Sequence, residues 1–237
     1  MPDTPQIVEV GPGLGDLTAV ILEKCRVTAI EIDRDLIAQL QVRFASDLAR
    51  GRLRLICADV LEMWGESLLD RTYAIVANLP YYAATEVVLR ALADPFCESL
   101  VVMLQLEVAR KLAGLDGRNS LSLLIESVGC AELLFEVPPT AFTPVPKVTS
   151  AVVRIIKRRA AYDRAFSEFL KMAFRQPRKR LQKNIEAPKE LFDELKIGEN
   201  ARAHELTLAD YEKLYKGIEN GRNTGAADRK KRRERRE

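Results

Sequence analysis

The sequence predicts an α/β fold, a sheet of parallel strands with helices on both faces, followed by a smaller all-helical C-terminal domain. Three observations carry this. Apolar runs of strand length alternate with segments of helical periodicity from Ile7 to Leu104. A glycine-rich turn, Gly11-Pro12-Gly13-Leu14-Gly15, directly follows the first apolar run. From Tyr162 onward no strand pattern is visible.

The elements follow in order. Ile7 to Val10 reads as a buried strand, and the glycine turn opens a helix from about Asp16 to Lys24. Val27 to Ile32 is a second strand, and Leu36, Ile37, Leu40 and Phe44 recur at helical spacing after it. Leu53 to Cys57 is strand-like, and Tyr73 to Ala77 runs into Asn78-Leu79-Pro80-Tyr81-Tyr82. A helix over 84–93 and an apolar strand over 100–104 come next. Two later strands are expected at Glu132 to Val137 and Ser150 to Ile156. The prolines between them, from Pro138 to Pro146, exclude regular structure and demand a fixed shape. Short helices are expected over 163–175, 178–186, 188–195 and 207–219, the last capped by Thr207. The domain boundary is placed near 158, giving a main domain over 1–158 and a helical one over 159–220. Residues 221–237 have no apolar face and read as a disordered basic tail.

Composition narrows the function. With 47% apolar and 30% charged residues in 237, the chain has the balance of a soluble globular protein. No apolar run approaches the roughly 20 residues that a spanning helix needs, so no membrane is expected. The start, Met1-Pro2-Asp3-Thr4-Pro5, lacks the basic and apolar regions of a secretory signal. Cys25, Cys57, Cys97 and Cys130 form no C-x-x-C and lie in apolar stretches, which points to reduced thiols in a cytoplasmic protein. The single histidine, His204, reads as a surface residue; chemistry needing two histidines is excluded, and no metal site is expected.

Charge is unevenly distributed. Residues 1–153 carry 13 Lys/Arg against 20 Asp/Glu, whereas residues 154–183 carry 11 against 2. A thirty-residue stretch at +9 beside an acidic domain is the footprint of a polyanion-binding element, because each cation placed on a phosphate releases condensed counterions. A solvated helical face is the alternative, although such faces usually mix signs.

The chemistry-bearing motifs fall at strand ends, where ligands bind in such sheets. The glycine turn departs from the dinucleotide fingerprint, because Asp16 stands at its sixth position, and it lacks the Gly-Lys-Ser/Thr end of a phosphate loop. It suits a nucleoside ligand without phosphates, and Glu9 or Asp16 is tolerable beside a cationic one. Glu31, twenty residues past Gly11, is placed to accept hydrogen bonds from both ribose hydroxyls. Asp59, followed by Val60, can accept from an adenine amine, and is equally suited to capping a helix. Asn78-Leu79-Pro80-Tyr81 is the most informative. An exocyclic adenine amine is a poor nucleophile because its lone pair is delocalised into the ring. Acceptors on its two hydrogens, the Asn78 side-chain oxygen and the Leu79 carbonyl, can rotate it towards a reactive geometry. Pro80 fixes the backbone, and Tyr81 offers a stacking face to a flipped base.

Together these residues resemble the ribosomal RNA adenine N6,N6-dimethyltransferases, enzymes that use S-adenosylmethionine on small-subunit rRNA. The resemblance spans nearly the whole chain: E-x-G-x-G-x-G, E-I-D, A-D and N-L-P-Y-Y are joined by Phe142-Thr143-Pro144-Val145-Pro146-Lys147-Val148-Thr149-Ser150, by the basic stretch Arg175 to Asn184, and by Ala201-Arg202-Ala203-His204-Glu205-Leu206. It implies a Rossmann-like class I S-adenosylmethionine-dependent methyltransferase sheet. Gly11, Gly13 and Gly15, with Glu9 near them, would cradle the methionine part of the cofactor. Glu31 would bind its ribose, Ile32 would pack on its adenine, and Asp59 with Val60 would meet the adenine amine. Asn78 and Leu79 would hold the target amine, with Tyr81 stacking on the target base and Phe142 closing the other side. Lys147, Arg175, Arg178, Lys179, Arg180 and Lys183 would contact RNA. The partner implied is small-subunit rRNA within a pre-ribosomal particle, bound by a monomer.

Two departures stand out. That family carries a cofactor-contacting segment upstream of the first strand, whereas this sequence begins almost at the strand, so a shortened N-terminus is expected. Leu106 stands where the family usually shows Lys, which affects an RNA contact rather than the chemistry. Three rivals remain. A large-subunit rRNA resistance methyltransferase shares the N-[LI]-P-Y motif, although the 142–150 and 201–206 segments favour the small-subunit enzyme. A non-catalytic ribosome-assembly or nucleic-acid-binding factor could keep the fold. A small-molecule methyltransferase would leave the basic stretch unexplained.

Overall fold

A computed structural model describes residues 6–219; the expected tail over 221–237 lies outside them. The chain runs β1 (Gln6–Val10), α1 (Asp16–Leu22), β2 (Arg26–Glu31), α2 (Arg34–Arg43), α3 (Ala45–Ala49), β3 (Leu53–Cys57), α4 (Val60–Met63), β4 (Tyr73–Asn78), α5 (Ala84–Ala93), β5 (Cys97–Gln105), α6 (Leu106–Leu112), α7 (Ser120–Val128), β6 (Gly129–Val137), β7 (Ser150–Lys157), α8 (Arg164–Ala173), α9 (Leu181–Ile185), α10 (Lys189–Glu194) and a last helix, α11, over 208–219.

The seven strands form one sheet in the order β3-β2-β1-β4-β5-β7-β6. β1 to β5 pair in parallel, so β1, β2, β3 and β4 bring Val10, Glu31, Cys57 and Asn78 to one edge. The all-parallel expectation fails at the far side: β7 is antiparallel to both β5 and β6. The reason is in the connection, because no helix long enough for a parallel crossover lies between Val137 and Ser150. That segment instead makes one 3₁₀ turn at Pro139–Ala141, where no regular structure was expected, followed by a cis Thr143–Pro144 peptide.

Helices cover the two faces unequally. On one face, Val8, Ile75, Leu100, Val102, Leu104, Val153 and Ile155 are all completely buried. On the other, α1 to α3 seal the β2–β3 side through Leu22, Leu40, Phe44 and Leu48 against Val27, Ala29, Leu53 and Leu55. Farther along that face, Val76, Val101, Met103 and Val152 are only half-buried, and Ile156 and Phe135 are exposed. α6 and α7 were not legible as helices. α7 buries Leu123, Leu124, Ile125 and Val128, which lie on too many sides of the helix to leave a polar–apolar period.

Two compact units are present. One comprises residues up to Leu115 with Val128–Tyr162; the other comprises Asp116–Ser127 with residues from Asp163 onward. The excursion at Asp116–Ser127, inserted between α6 and β6, therefore groups with the C-terminal helices rather than with the sheet that flanks it in sequence. In that second unit Phe166, Phe169, Phe174, Tyr211 and Tyr215 form a run of ring contacts, and the Tyr211 hydroxyl donates to the Ala203 carbonyl at 2.7 Å. Cys97 is buried as expected of an apolar-stretch thiol, but Cys57 and Cys130 are exposed, and all four cysteines are free.

Asp94, completely buried, fixes the β4–β5 pair at the edge away from Asn78. It accepts from the Trp64 indole N–H, the Ser67 and Tyr73 hydroxyls and the backbone N–H groups of Leu68, Phe96 and Cys97. Burial pushes its pKa up, but hydrogen bonds from Tyr73, Phe96, Ser67 and Leu68 outweigh that and hold it below the ordinary carboxylate value. A depressed acid stabilises the fold above its unfolded pKa, and that contribution is lost as pH falls through the folded value. Asp94→Ala leaves several buried donors without an acceptor and is expected to cost about 3 kcal/mol in urea unfolding at neutral pH, with the difference from the parent shrinking in acid.

Candidate functional site

Four strand ends build the site. The glycine turn leaves β1 with Gly11, Gly13 and Gly15 all at positive φ, a conformation in which side chains are strained. Gly11 N–H donates to the Ile30 carbonyl at 2.9 Å, so the turn is tied to β2 as soon as it leaves the sheet. Arg43 closes it from α2, donating to the Leu14 carbonyl and, at 2.8 Å, to Asp16. Asp16 is thus paired away as a surface ion pair.

Glu31 ends β2 and is nearly buried. Its carboxylate accepts from the backbone N–H groups of Ile32 at 2.9 Å, Asp33 at 3.1 Å and Gly13 at 3.3 Å. Asp33 then caps α2 by accepting from Asp35 and Leu36. Asp59 takes the capping role, one of its oxygens accepting from Leu61 N–H at 2.8 Å at the start of α4, and the residue also lines the cavity.

The cavity is about 450 Å³, within the ordinary range for small-molecule sites. Gly11, Glu31, Ile32, Asp59 and Val60 line it, together with Asn78, Leu79, Pro80, Tyr81 and Phe142. Ile32 is 59% exposed, an apolar surface at the cavity with no protein over most of it. Tyr82, 87% exposed, and Pro144 and Pro146 are lining residues that sequence reasoning did not assign, although all three lay inside quoted motifs.

After β4, the Leu79 N–H donates to the Met103 carbonyl at 3.0 Å, extending the β4–β5 ladder one step past Asn78. The Pro80 carbonyl accepts from Ala83 and Ala84 and starts α5. The Leu79 backbone is thereby fixed on both sides, while among the described residues neither its carbonyl nor the Asn78 amide has a hydrogen-bond partner. Two acceptors on adjacent residues are left for a ligand. Tyr81 is 39% exposed and its hydroxyl lies 2.9 Å from that of Ser150.

Other assigned residues lie elsewhere. A Cβ on Gly13 would meet nothing within 4 Å, so room remains beside it; a Cβ on Gly15 would lie 2.5 Å from the Phe44 ring and 2.7 Å from Leu40. Gly15 therefore faces the hydrophobic core instead of the cavity, and its glycine is a packing requirement. Glu9 is also absent from the lining: it is 1% exposed and accepts from the Thr18 hydroxyl at 2.6 Å. Lys147 and Arg175 are exposed. Arg178, Lys179, Arg180 and Lys183 line a separate depression of about 500 Å³ within the second unit, joined by Asn200 and Arg202. The Arg180–Arg202 bridge and the Leu181 N–H to Ala201 carbonyl bond, 2.8 Å, bring these two motifs together. Glu199 is 3.8 Å from Arg180, a weak counterweight to five cations. His204 is exposed, and among the described residues no group of three His, Cys, Asp or Glu side chains is placed to hold a metal ion.

The donor set fits S-adenosylmethionine. A fixed carboxylate at the end of β2 matches a ribose diol, exposed Ile32 matches an adenine face, and Asp59 matches its amine. Added Cβ atoms at Gly11, which lines the cavity, and at Gly13, which does not, would meet nothing within 4 Å, so Gly11 leaves room for a ligand to approach the backbone closely.

A family model described as "Ribosomal RNA adenine dimethylase" matches residues 2–220. "Ribosomal RNA small subunit methyltransferase A" of Sulfurimonas denitrificans is 44% identical over 220 residues, covering 89% of this chain and 82% of its own. The protein of that name from Aliarcobacter butzleri is 43% identical over 230 residues, covering 92% and 87%. Among solved structures, the 23S rRNA methyltransferase ErmE superposes with a TM-score of 0.71 at 24% identity, covering 90% of each chain. A dimethyladenosine transferase from Plasmodium falciparum gives 0.72 at 20%, covering 88% of each. At those identities the two structures establish the fold alone.

Burial raises the Glu9 carboxyl from 4.5 to about 7, with the Thr18 hydroxyl opposing. An acid raised on folding stabilises the protein fully below its unfolded pKa and loses that contribution as pH rises through the folded one. Between pH 5 and 8 the parent is expected to lose about 2 to 3 kcal/mol relative to Glu9→Gln, measured by urea unfolding at each pH.

Proposed function

The chain belongs to the ribosomal RNA adenine dimethylase family, and from that premise we propose that it transfers methyl groups from S-adenosylmethionine to N6 of adenosines in small-subunit rRNA, giving N6,N6-dimethyladenosine. The observation that carries this reading is the pair of unpartnered acceptors, the Asn78 amide oxygen and the Leu79 carbonyl, in the same cavity as the Glu31 carboxylate. The small-subunit assignment rests on relatives at 40–44% identity.

Each residue then has a task. Glu31 accepts from the ribose hydroxyls, and its three backbone donors keep it oriented. Ile32 and Val60 flank the adenine, with the free Asp59 oxygen on its amine. Bound there, S-adenosylmethionine supplies an electrophilic methyl group on a sulfonium. Asn78 and Leu79 accept the two hydrogens of the target amine and turn its lone pair out of conjugation with the ring. Because the Leu79 carbonyl belongs to backbone fixed by the sheet, and Asn78 is the last residue of β4, little backbone reorganisation is needed at the moment of reaction. Tyr81 and Phe142 grip the flipped base between them, in the manner of enzymes that extrude a base to reach it.

In this reading the depression lined by Arg178, Lys179, Arg180, Lys183 and Arg202 holds rRNA backbone, with Arg175 and Lys147 as further contacts. Binding then falls steeply with salt, because phosphate contacts release counterions. The partner is rRNA in a pre-ribosomal particle, the enzyme works as a monomer, and its place is the cytoplasm. In support, no described helix is long and apolar enough to cross a membrane.

The test is transfer of labelled methyl groups to undermethylated small ribosomal subunits, with the RNA analysed for N6,N6-dimethyladenosine. The parent is expected to form it, and Asn78→Ala to lower the rate by about 10²- to 10³-fold, as for loss of a preorganised polar contact. An Asn78→Ala variant with the parent's rate, or a parent that binds RNA and makes no product, contradicts the reading.

A further inference from the structure

We infer that Ser150 is a positioning residue for methyl transfer: its hydroxyl anchors the Tyr81 ring and so sets the gap in which the target base is held. The inference rests on the reading of Tyr81 as that base's stacking partner.

Tyr81 follows Pro80 in the turn after β4, and its ring is 39% exposed in a cavity wall. A side chain this open has little packing to choose its rotamer. Its one polar atom meets the Ser150 hydroxyl at 2.9 Å, across 69 residues of sequence. Ser150 is a firm anchor. It is 1% exposed and lies in the sheet between Gln105 of β5 and Val137 of β6, while the preceding Thr149 carbonyl accepts from Leu106 N–H at 3.0 Å.

Ser150 also ends the proline-rich segment that carries Phe142. The hydroxyl pair therefore ties the wall bearing Tyr81 to the root of the segment bearing Phe142, the two sides between which a base is gripped. Losing it frees the Tyr81 side-chain torsions without removing the ring's stacking surface. The base still enters, but it is held less often with its amine against Asn78 and Leu79. The effect therefore falls on turnover rather than on cofactor binding.

The experiment compares the parent with Ser150→Ala, Tyr81→Phe and the double variant on undermethylated small subunits, reading kcat, KM for the subunit, S-adenosylmethionine affinity and thermal stability. Each single variant is expected to lower kcat by about five- to tenfold, the scale of one lost hydrogen bond, with KM and cofactor affinity within twofold of the parent. The double variant is expected to match the worse single one, because both break the same contact. A serine that merely supports the fold gives a different pattern: its loss lowers stability and acts alike with or without the Tyr81 hydroxyl, so the two losses multiply. Multiplied losses, or Ser150→Ala turning over at the parent's rate, overturn the inference and leave the methyltransferase reading standing. A parent that makes no dimethyladenosine overturns both.

Discussion

The carboxylate of Glu31 accepts from three backbone N–H groups, two on the chain just beyond β2 and one, Gly13, in the turn after β1. It thereby joins the ends of neighbouring parallel strands at the edge where the cavity opens. Removing it would leave the glycine turn tied to the rest of the fold by the Gly11 bond to Ile30 and the clamp from Arg43, with no bond at Gly13. The same carboxylate is the group best placed to receive a ribose. On the proposed function, structure and recognition draw on one side chain, and its three backbone partners fix it in place.

The rest of the cavity inherits this arrangement through strand register. Parallel pairing stops β1 to β4 at a common edge, so residues distant in sequence, Gly11, Glu31, Asp59 and Asn78, come together without any long loop. The Asp94 network holds β4 and β5 together at the opposite edge, and the Leu79 to Met103 bond continues their ladder beyond Asn78. The backbone of Asn78 and Leu79 thus continues a well-anchored strand pair, as acceptors that must be aimed beforehand require.

Much of this was legible in sequence, because strand ends marked by glycines, by acidic residues or by Asn78-Leu79-Pro80 announce themselves locally. What escaped was set by contacts between distant residues. The direction of β6 and β7 depends on a connection without a crossover helix, and the apolar pattern of α7 hides its period. Gly15 belongs to a motif read as a ligand cradle, yet its lack of a side chain is required by Phe44 and Leu40. Glu9, from the same motif, is buried against Thr18. The proximity of the 178–183 and 200–202 segments, and of Tyr81 to Ser150, likewise has no local signal. Ser150 and Arg202 could be quoted as motif letters, but their partners could not.

On the proposed function, one cavity holds the cofactor by Glu31 and presents the target amine to Asn78 and Leu79. The decisive test is a crystal structure with S-adenosylhomocysteine, the product form of the cofactor. Both ribose hydroxyls are expected within hydrogen-bond distance of the Glu31 carboxylate, with adenine against Ile32 and the sulfur directed towards Asn78. A nucleoside bound away from Glu31, or a sulfur facing away from the Asn78–Tyr81 turn, would contradict it.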